Sequence, residues 1–151
     1  MSATTTSPAL EPVPGWIMPD PTWGVARGFW DAAQRHALAF PRCAGCERFV
    51  WYPEPRCQVC GSREFAWTDV DPAGVVHSFT VVRRPFMPEL AHRLPLGIVI
   101  ARFDAAPGVS LVTALAQGED PEQLAVGRRL TATFETAPNG FVFPHVSLTG
   151  S

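Results

Sequence analysis

At 151 residues, with 46% hydrophobic and 17% charged residues, the chain has a globular composition: room for one ordinary domain, or for a metal-nucleated module joined to a small barrel, but not for two large domains. A formal charge of −2 gives no general attraction to nucleic acid, and no stretch offers the roughly 18 uninterrupted apolar residues of a membrane span. All twelve basic residues are arginine, so no side-chain amine is available for a Schiff base; if the four cysteines hold metal, no free thiol remains either.

Residues 1–21 contain five prolines and the run Ser2 to Ser7, the composition of a flexible leader. It has neither the basic start nor the apolar run of a secretory signal, which places the chain in the cytoplasm. A reducing compartment makes metal a better use of the cysteines than disulfides.

Asp20, Pro21 and Thr22 offer helix-start chemistry, and the run Val25 to Phe40 predicts a helix. Ala26, Phe29, Trp30, Ala33 and Ala37 recur at steps of three and four, making one apolar stripe. The stripe either packs on the chain's own core or, with Trp16 and Trp23 nearby, docks another protein through aromatic anchors.

The strongest signal follows. Cys43-Ala-Gly-Cys46 and Cys57-Gln-Val-Cys60-Gly61 are two Cys-x-x-Cys turns separated by ten residues. Two residues between cysteines let one tight turn present both thiolates to one ion, and two such turns complete a tetrahedral sulfur site with no open position. Such a site is structural; zinc is favoured over iron, which sulfur ligands alone do not exclude. Phe49, Trp51 and Tyr52 give the intervening Glu47 to Pro55 the look of a short hairpin, and Gly45 and Gly61 supply permissive backbone for the turns.

Beyond Gly61 the period changes. Gly74 to Arg83, Leu96 to Phe103, Val109 to Ala116, Leu130 to Glu135 and Phe141 to Leu148 read as five strands, with Asn139-Gly140 a tight-turn signal and Asp120 to Leu124 a capped short helix ending near Gly127. Five strands with a helix between the third and fourth is the plan of an OB-fold barrel, with an antiparallel sandwich as the alternative. The loop Arg84 to Pro95 carries Phe86, Met87, Leu90 and Leu94, more apolar than solvent requires; it either covers the barrel mouth or meets a partner.

Local signatures of catalysis are missing: there is no Gly-x-Ser-x-Gly, phosphate-binding loop or His-Glu-x-x-His. His36, His77, His92 and His145 are far apart in sequence, and each reads as an ordinary surface or core residue. Arg83, Arg84 and Arg93 form a small positive set suited to the phosphates of a nucleotide-bearing thioester such as coenzyme A, or to acidic side chains of a partner.

From Phe29-Trp30-Asp31 onward, through Arg42 to Cys46, Tyr52-Pro53, Cys57 to Ser62, Val75 to Val82 and Leu124 to Gly127, the chain resembles the family named domain of unknown function thirty-five. The resemblance covers about four fifths of the chain and implies a mainly β protein: an N-terminal helix, a rubredoxin-like zinc ribbon, then a five-stranded OB-fold barrel. Family members accompany thiolase-fold enzymes acting on acyl-coenzyme A thioesters, among them acyltransferases, synthases and thiolase-like aldolases of steroid side-chain degradation, sometimes with a hydratase attached. The partner then holds the catalytic residues. The layout expected is a leader over 1–21, a partner-docking helix over 22–40, a zinc ribbon over 41–66 and the barrel over 67–151. The expected metal ligands are Cys43, Cys46, Cys57 and Cys60; the expected partner contacts are Trp23, Phe29, Trp30, Phe86, Met87 and Leu90. The rival expectation is a single-stranded nucleic-acid binder, since OB barrels and zinc ribbons both stack bases on aromatic side chains along a basic groove. The acidic balance and the absence of lysine speak against it.

Overall fold

The computed structural model describes residues 12–150, which form one α-helix, seven strands and two short 3-10 turns. The helix, α1 (Arg27–Gln34), is shorter than the apolar periodicity predicts. Asp20 does not cap it: the carboxylate accepts from the Thr22 amide at 2.8 Å in a local turn, and the helix starts at Ala26 without a side-chain cap. At its other end Ala37 N–H donates to Ala32 C=O at 2.9 Å and His36 N–H to Ala33 C=O at 2.8 Å, the paired bonds of a Schellman stop. His36 holds the left-handed position with φ 58°, where glycine usually signals the end. Its ring stacks on Phe134 with centroids 5.5 Å apart.

The chain then extends as β1 (Leu38–Cys43), paired antiparallel with β2 (Phe65–Val70) from Leu38↔Val70 to Cys43↔Phe65. Leu38, Ala39 and Phe40 thus belong to a strand rather than to the helix. The segment from Glu47 to Pro55 is a loop, tied to β1 by a bridge between Arg42 and Phe49, by Glu47 N–H donating to Cys43 C=O and by Arg42 Nε donating to Glu47 C=O, the last two at 2.9 Å. The expected hairpin is replaced by a wider pairing that runs from one Cys-x-x-Cys turn to the strand after the other.

The remaining strands are β3 (Ala73–Val82), β4 (Leu96–Phe103), β5 (Leu111–Ala114), β6 (Arg129–Thr136) and β7 (Val142–Leu148), in the order β5-β4-β3-β6-β7. Every hydrogen-bonded neighbour pair is antiparallel, and a parallel bridge between Leu115 and Val146 joins the two edges, with Ala116 N–H donating to Val146 C=O at 2.8 Å. Five strands closed in this way, with the turn Pro121–Gln123 between β5 and β6, form the OB-type barrel read from the strand pattern. That turn is a single 3-10 turn, capped by Asp120 accepting from the Glu122 amide.

The barrel core and the helix meet at Phe40, which is fully buried. Its ring lies 6.2 Å from Phe29 on α1, 5.2 Å from Trp51 in the loop between the cysteine pairs, and 5.8 Å from Phe103 on β4. The apolar stripe of α1 therefore packs on the chain's own core: Phe29, Ala32 and Ala33 are buried, and Trp30 leans on Phe141 and Phe143 with centroids 5.2 and 6.2 Å away. The described part of the leader is packed as well, with Trp16 5.2 Å from Phe143; residues 1–11 lie outside the described residues. Truncating Phe40 to Ala removes the ring that three elements share and is expected to cost about 3–5 kcal/mol, a melting temperature lower by roughly 10 °C. A thermal melt of the metal-loaded variant within a degree or two of wild type would contradict this role.

Candidate metal centre

The two Cys-x-x-Cys turns repeat one local geometry. Glu47 N–H donates to Cys43 C=O and Gly61 N–H to Cys57 C=O, both at 2.9 Å, so each turn closes on itself four residues on. The residue after the second cysteine is left-handed in both, Glu47 with φ 63° and Gly61 with φ 78°. Glycine is what that position favours, and only the second turn has it. Gly45 serves a different purpose from the one expected: a Cβ there would sit 3.0 Å from Cys60 Sγ and 3.2 Å from Ser62 Cβ, so its missing side chain is room for the opposite turn.

The result is that Cys43, Cys46, Cys57 and Cys60 present sulfurs all within 4.8 Å of one another, with Cys43 to Cys60 at 3.4 Å and Cys46 to Cys57 at 3.8 Å. A tetrahedral ion with metal–sulfur bonds of about 2.3 Å separates its ligands by about 3.8 Å, so the donor set fits such an ion. Amide groups prepare the thiolates. The Cys46 amide, chief among the causes, lowers the Cys43 thiol to about 6, with the Gly45 amide donating to the same sulfur at 3.3 Å. The Cys60 amide, then that of Val59, lowers Cys57. The Ser62 amide acts to lower Cys60, but the neighbouring sulfurs and burial outweigh it and push that thiol up to about 11. Without a cation the last thiolate is resisted by the others; with one bound, all four sulfurs can be charged. Cys43 and Cys57 are buried and Cys60 is exposed, so the centre has one accessible side.

The other residues singled out from the sequence are dispersed. Phe29 is only 5% exposed and Leu90 is also buried, both inside this chain, whereas Trp23 at 54% and Phe86 at 68% stand in solvent. Met87 is half-buried. The arginine set is not one patch: Arg83 is ion-paired with Glu122, Arg84 is exposed with no ion pair among the described residues, and Arg93 is turned inward.

Arg93 marks a cluster that sequence spacing does not show. Its guanidinium lies 3.6 Å from Glu135 on β6 and stacks 4.2 Å over the Trp16 ring. Glu135 also contacts His145 Nδ1 on β7 at 2.7 Å. The Gln117 side-chain amide, in the orientation that matches donors to acceptors, donates to Glu135 at 3.1 Å and accepts from Arg93 at 3.3 Å. The loop before β4 thus folds back on the chain at Leu90 and Arg93, while Phe86 stays in solvent. Burial, the leading cause, lowers the His145 pKa; the Glu135 charge opposes that and Arg93 reinforces it. The four members come from two loops and two strands: Glu135 and His145 meet through the β6–β7 pairing, and barrel closure brings Arg93 and Gln117 to them.

A paired-turn sulfur site joined to a small closed barrel defines a ribbon-plus-OB protein. The family model for the ChsH2 rubredoxin-like zinc ribbon domain matches residues 30–66, and that for the ChsH2 C-terminal OB-fold domain matches residues 67–135. The chain carries both in order and belongs to this family, DUF35. It is 34% identical over 120 residues to a probable enoyl-CoA hydratase alpha subunit of Thermomonospora curvata, which aligns with 78% of this chain but only 35% of that protein. Among solved structures it resembles a chain of an Ltp2-ChsH2(DUF35) aldolase, with TM-score 0.72, 24% identity, and coverage of 82% of this chain and 93% of that one. A DUF35-family protein of unknown function from Sulfolobus solfataricus also shares the fold, with TM-score 0.57, 18% identity, and coverage of 86% and 89%.

Two outcomes follow from these sites. Metal binding of this kind contributes roughly 10 kcal/mol or more to small ribbons, so a strong chelator or Cys57→Ser should release about one ion per chain and lower the melting temperature further than Phe40→Ala does. Unchanged melting after metal loss would refute a structural centre. For His145 the sign runs toward acid lability: its folded pKa is lowered, so below its ordinary value of 6.5 the unfolded chain takes the proton first and stability falls. Denaturant melts from about pH 7 to about pH 5 should show a steeper loss for wild type than for His145→Gln, the variant serving to subtract the cysteines. Superimposable profiles would contradict the buried neutral imidazole.

Proposed function

We propose that this chain is a non-catalytic subunit that docks a thiolase-fold enzyme acting on acyl-coenzyme A thioesters and helps position or admit the substrate. The observation that carries the reading is the ribbon and barrel in the ChsH2 order over residues 30–135, with the four converging sulfurs of the ribbon forming a closed set. A closed set leaves no coordination position for substrate, so the metal serves architecture rather than chemistry. Zinc is the ion this role favours, since nothing in it calls for a redox couple.

The relatives' names support the same reading. One solved neighbour belongs to an aldolase assembly, and the Thermomonospora relative is described as a hydratase subunit more than twice as long as the aligned region. We therefore place the chain with a thiolase-like aldolase, acyltransferase or synthase, with a hydratase as a second component, in lipid or steroid metabolism. No helix among the described residues is long and apolar enough to cross a membrane, and the assembly is assigned to the cytoplasm.

The His145–Glu135 contact does not overturn the non-catalytic assignment. Glu135 is shared with Arg93 and Gln117, and the imidazole is buried, so the group is built as a brace for the loop before β4. The test is co-expression with a thiolase-fold acyl-coenzyme A enzyme from the same organism. A stable complex is expected, with thioester turnover raised by this chain and none by the chain alone. Turnover by the isolated chain, or a partner equally active without it, would refute the proposal. Tight salt-dependent binding of a single-stranded oligonucleotide would favour the nucleic-acid reading instead.

A further inference from the structure

An antiparallel barrel strand normally alternates, apolar toward the core and polar toward water. β4 does not. Gly97, Val99, Ala101 and Phe103 are buried on its inner face, yet the outward positions are Leu96, Ile98 and Ile100 before the pattern ends at Arg102. The register extends this outer face sideways. Val82 lies opposite Leu96 on β3, and Ala114 and Val112 on β5 lie opposite Ile98 and Ile100, whereas the β3 partners of those two isoleucines are the polar, exposed Thr80 and Ser78; the apolar face therefore runs over β4 and β5 and reaches β3 only at Val82. None of the six apolar residues belongs to the core cluster or to the side chains packed against it; Val112 is 51% exposed and the other five are half-buried. The helix does not cover them, since α1 packs on β1, β2 and β7.

The charges around the face say what it can meet. Arg84 follows β3 beyond Val82 at one end, and Arg102 closes β4 at the other; both are exposed, and neither has an ion pair among the described residues. The stretch from Leu96 to Arg102 is six residue steps, roughly 20 Å at about 3.3 Å per step. A second copy of this chain placed face to face sets arginine against arginine in either two-fold arrangement, so the face is not self-complementary. Its complement is an apolar surface flanked by carboxylates.

Two strands of this length offer only a few hundred Å², below the roughly 800 Å² per partner of a stable interface. The face continues past Val112, however, into a cleft of about 280 Å³ whose walls include Trp30, Trp51, Tyr52 and Phe143. Tyr52 is 58% exposed on its rim, and its ring stacks on Trp51. A flat aliphatic face leading into an aromatic cleft matches the anatomy of a docking surface, in which one inserted side chain anchors the contact.

We propose that this outer face of β4 and β5, bordered by Val82 and with the Trp51–Tyr52 cleft beside it, is the surface on which the thiolase-fold subunit docks. The subunit brings an apolar patch edged by acidic side chains for Arg84 and Arg102, and one apolar side chain for the cleft. This assignment rests on the partner read under Proposed function, and it centres the contact on the barrel, with Trp30 of the leading helix at the cleft wall.

The test measures affinity for the thiolase-fold subunit that co-purifies with this chain, by calorimetry or interferometry. Val112→Glu, at a solvent-facing position, should weaken binding roughly 100-fold while metal content and melting temperature stay at wild-type values. Ile98→Thr with Ile100→Thr keeps strand propensity and is the second variant, with a loss of at least roughly tenfold expected. Arg84→Glu and Arg102→Glu should slow association most at low salt. Folded variants that bind as wild type overturn the assignment while leaving the accessory role intact. If wild type itself binds no such subunit, the functional reading fails and the occupant with it. Wild-type self-association or binding to anionic lipid vesicles that these substitutions abolish, with subunit binding unchanged, would assign the face to a different occupant and overturn the proposal.

Discussion

Four thiol sulfurs gathered within 4.8 Å are tolerable only around a cation, and the rest of the molecule is arranged on that constraint. As the thiols ionise, each further negative charge is opposed by the others, a conflict visible in one thiol lowered to about 6 and another pushed up to about 11. An ion resolves it and fixes two turns that would otherwise have little to hold them together. Cys43 is the last residue of β1, and Phe40 on the same strand stands in the barrel core. The metal thus sets the position of a strand three residues from the aromatic contact that joins helix, loop and barrel. Ribbon and barrel are in this sense a single mechanical unit, even though their sheets are separate.

That coupling gives the proposed accessory role a physical form. A subunit that acts through surfaces needs those surfaces rigid before the partner arrives, because ordering them on contact weakens binding. The aromatic cleft is framed by Trp30 of the helix, Trp51 and Tyr52 of the inter-turn loop, and Phe143 of β7, so three regions held by different means meet there. The loop before β4 is secured separately, by Arg93 reaching Glu135 beneath Trp16. Metal at one end and a buried charge cluster at the other leave the outer face of β4 on a braced sheet.

Much of this was legible from residues. The cysteine spacing defines the ligand set because two-residue turns admit few alternatives, and the strand pattern with the turn at Pro121 defines the barrel. Where the reading fell short, the cause lies in contacts between distant segments. The helix appears to run on to Phe40 because His36 takes the left-handed stop without glycine, supported by stacking on Phe134. Phe65–Val70 shows no clear alternation until it pairs with β1. Phe29 and Leu90 look like partner anchors from hydrophobicity alone; which side of a stripe faces inward is decided by packing. The unusual apolar character of Leu96 to Phe103 was visible, but its meaning needed the register that separates inner from outer positions.

In the proposed role this chain offers a prebuilt surface to an enzyme. Hydrogen–deuterium exchange of the metal-loaded chain, alone and in complex with the thiolase-fold subunit, distinguishes this from a surface formed on contact. Slower exchange on binding is expected in the edge strand Leu111–Ala114 and in the Trp51–Tyr52 loop, with the two cysteine turns already protected in the free chain. Protection appearing across the ribbon and core only in the complex would contradict it, since the surface would then be made by the partner rather than presented to it.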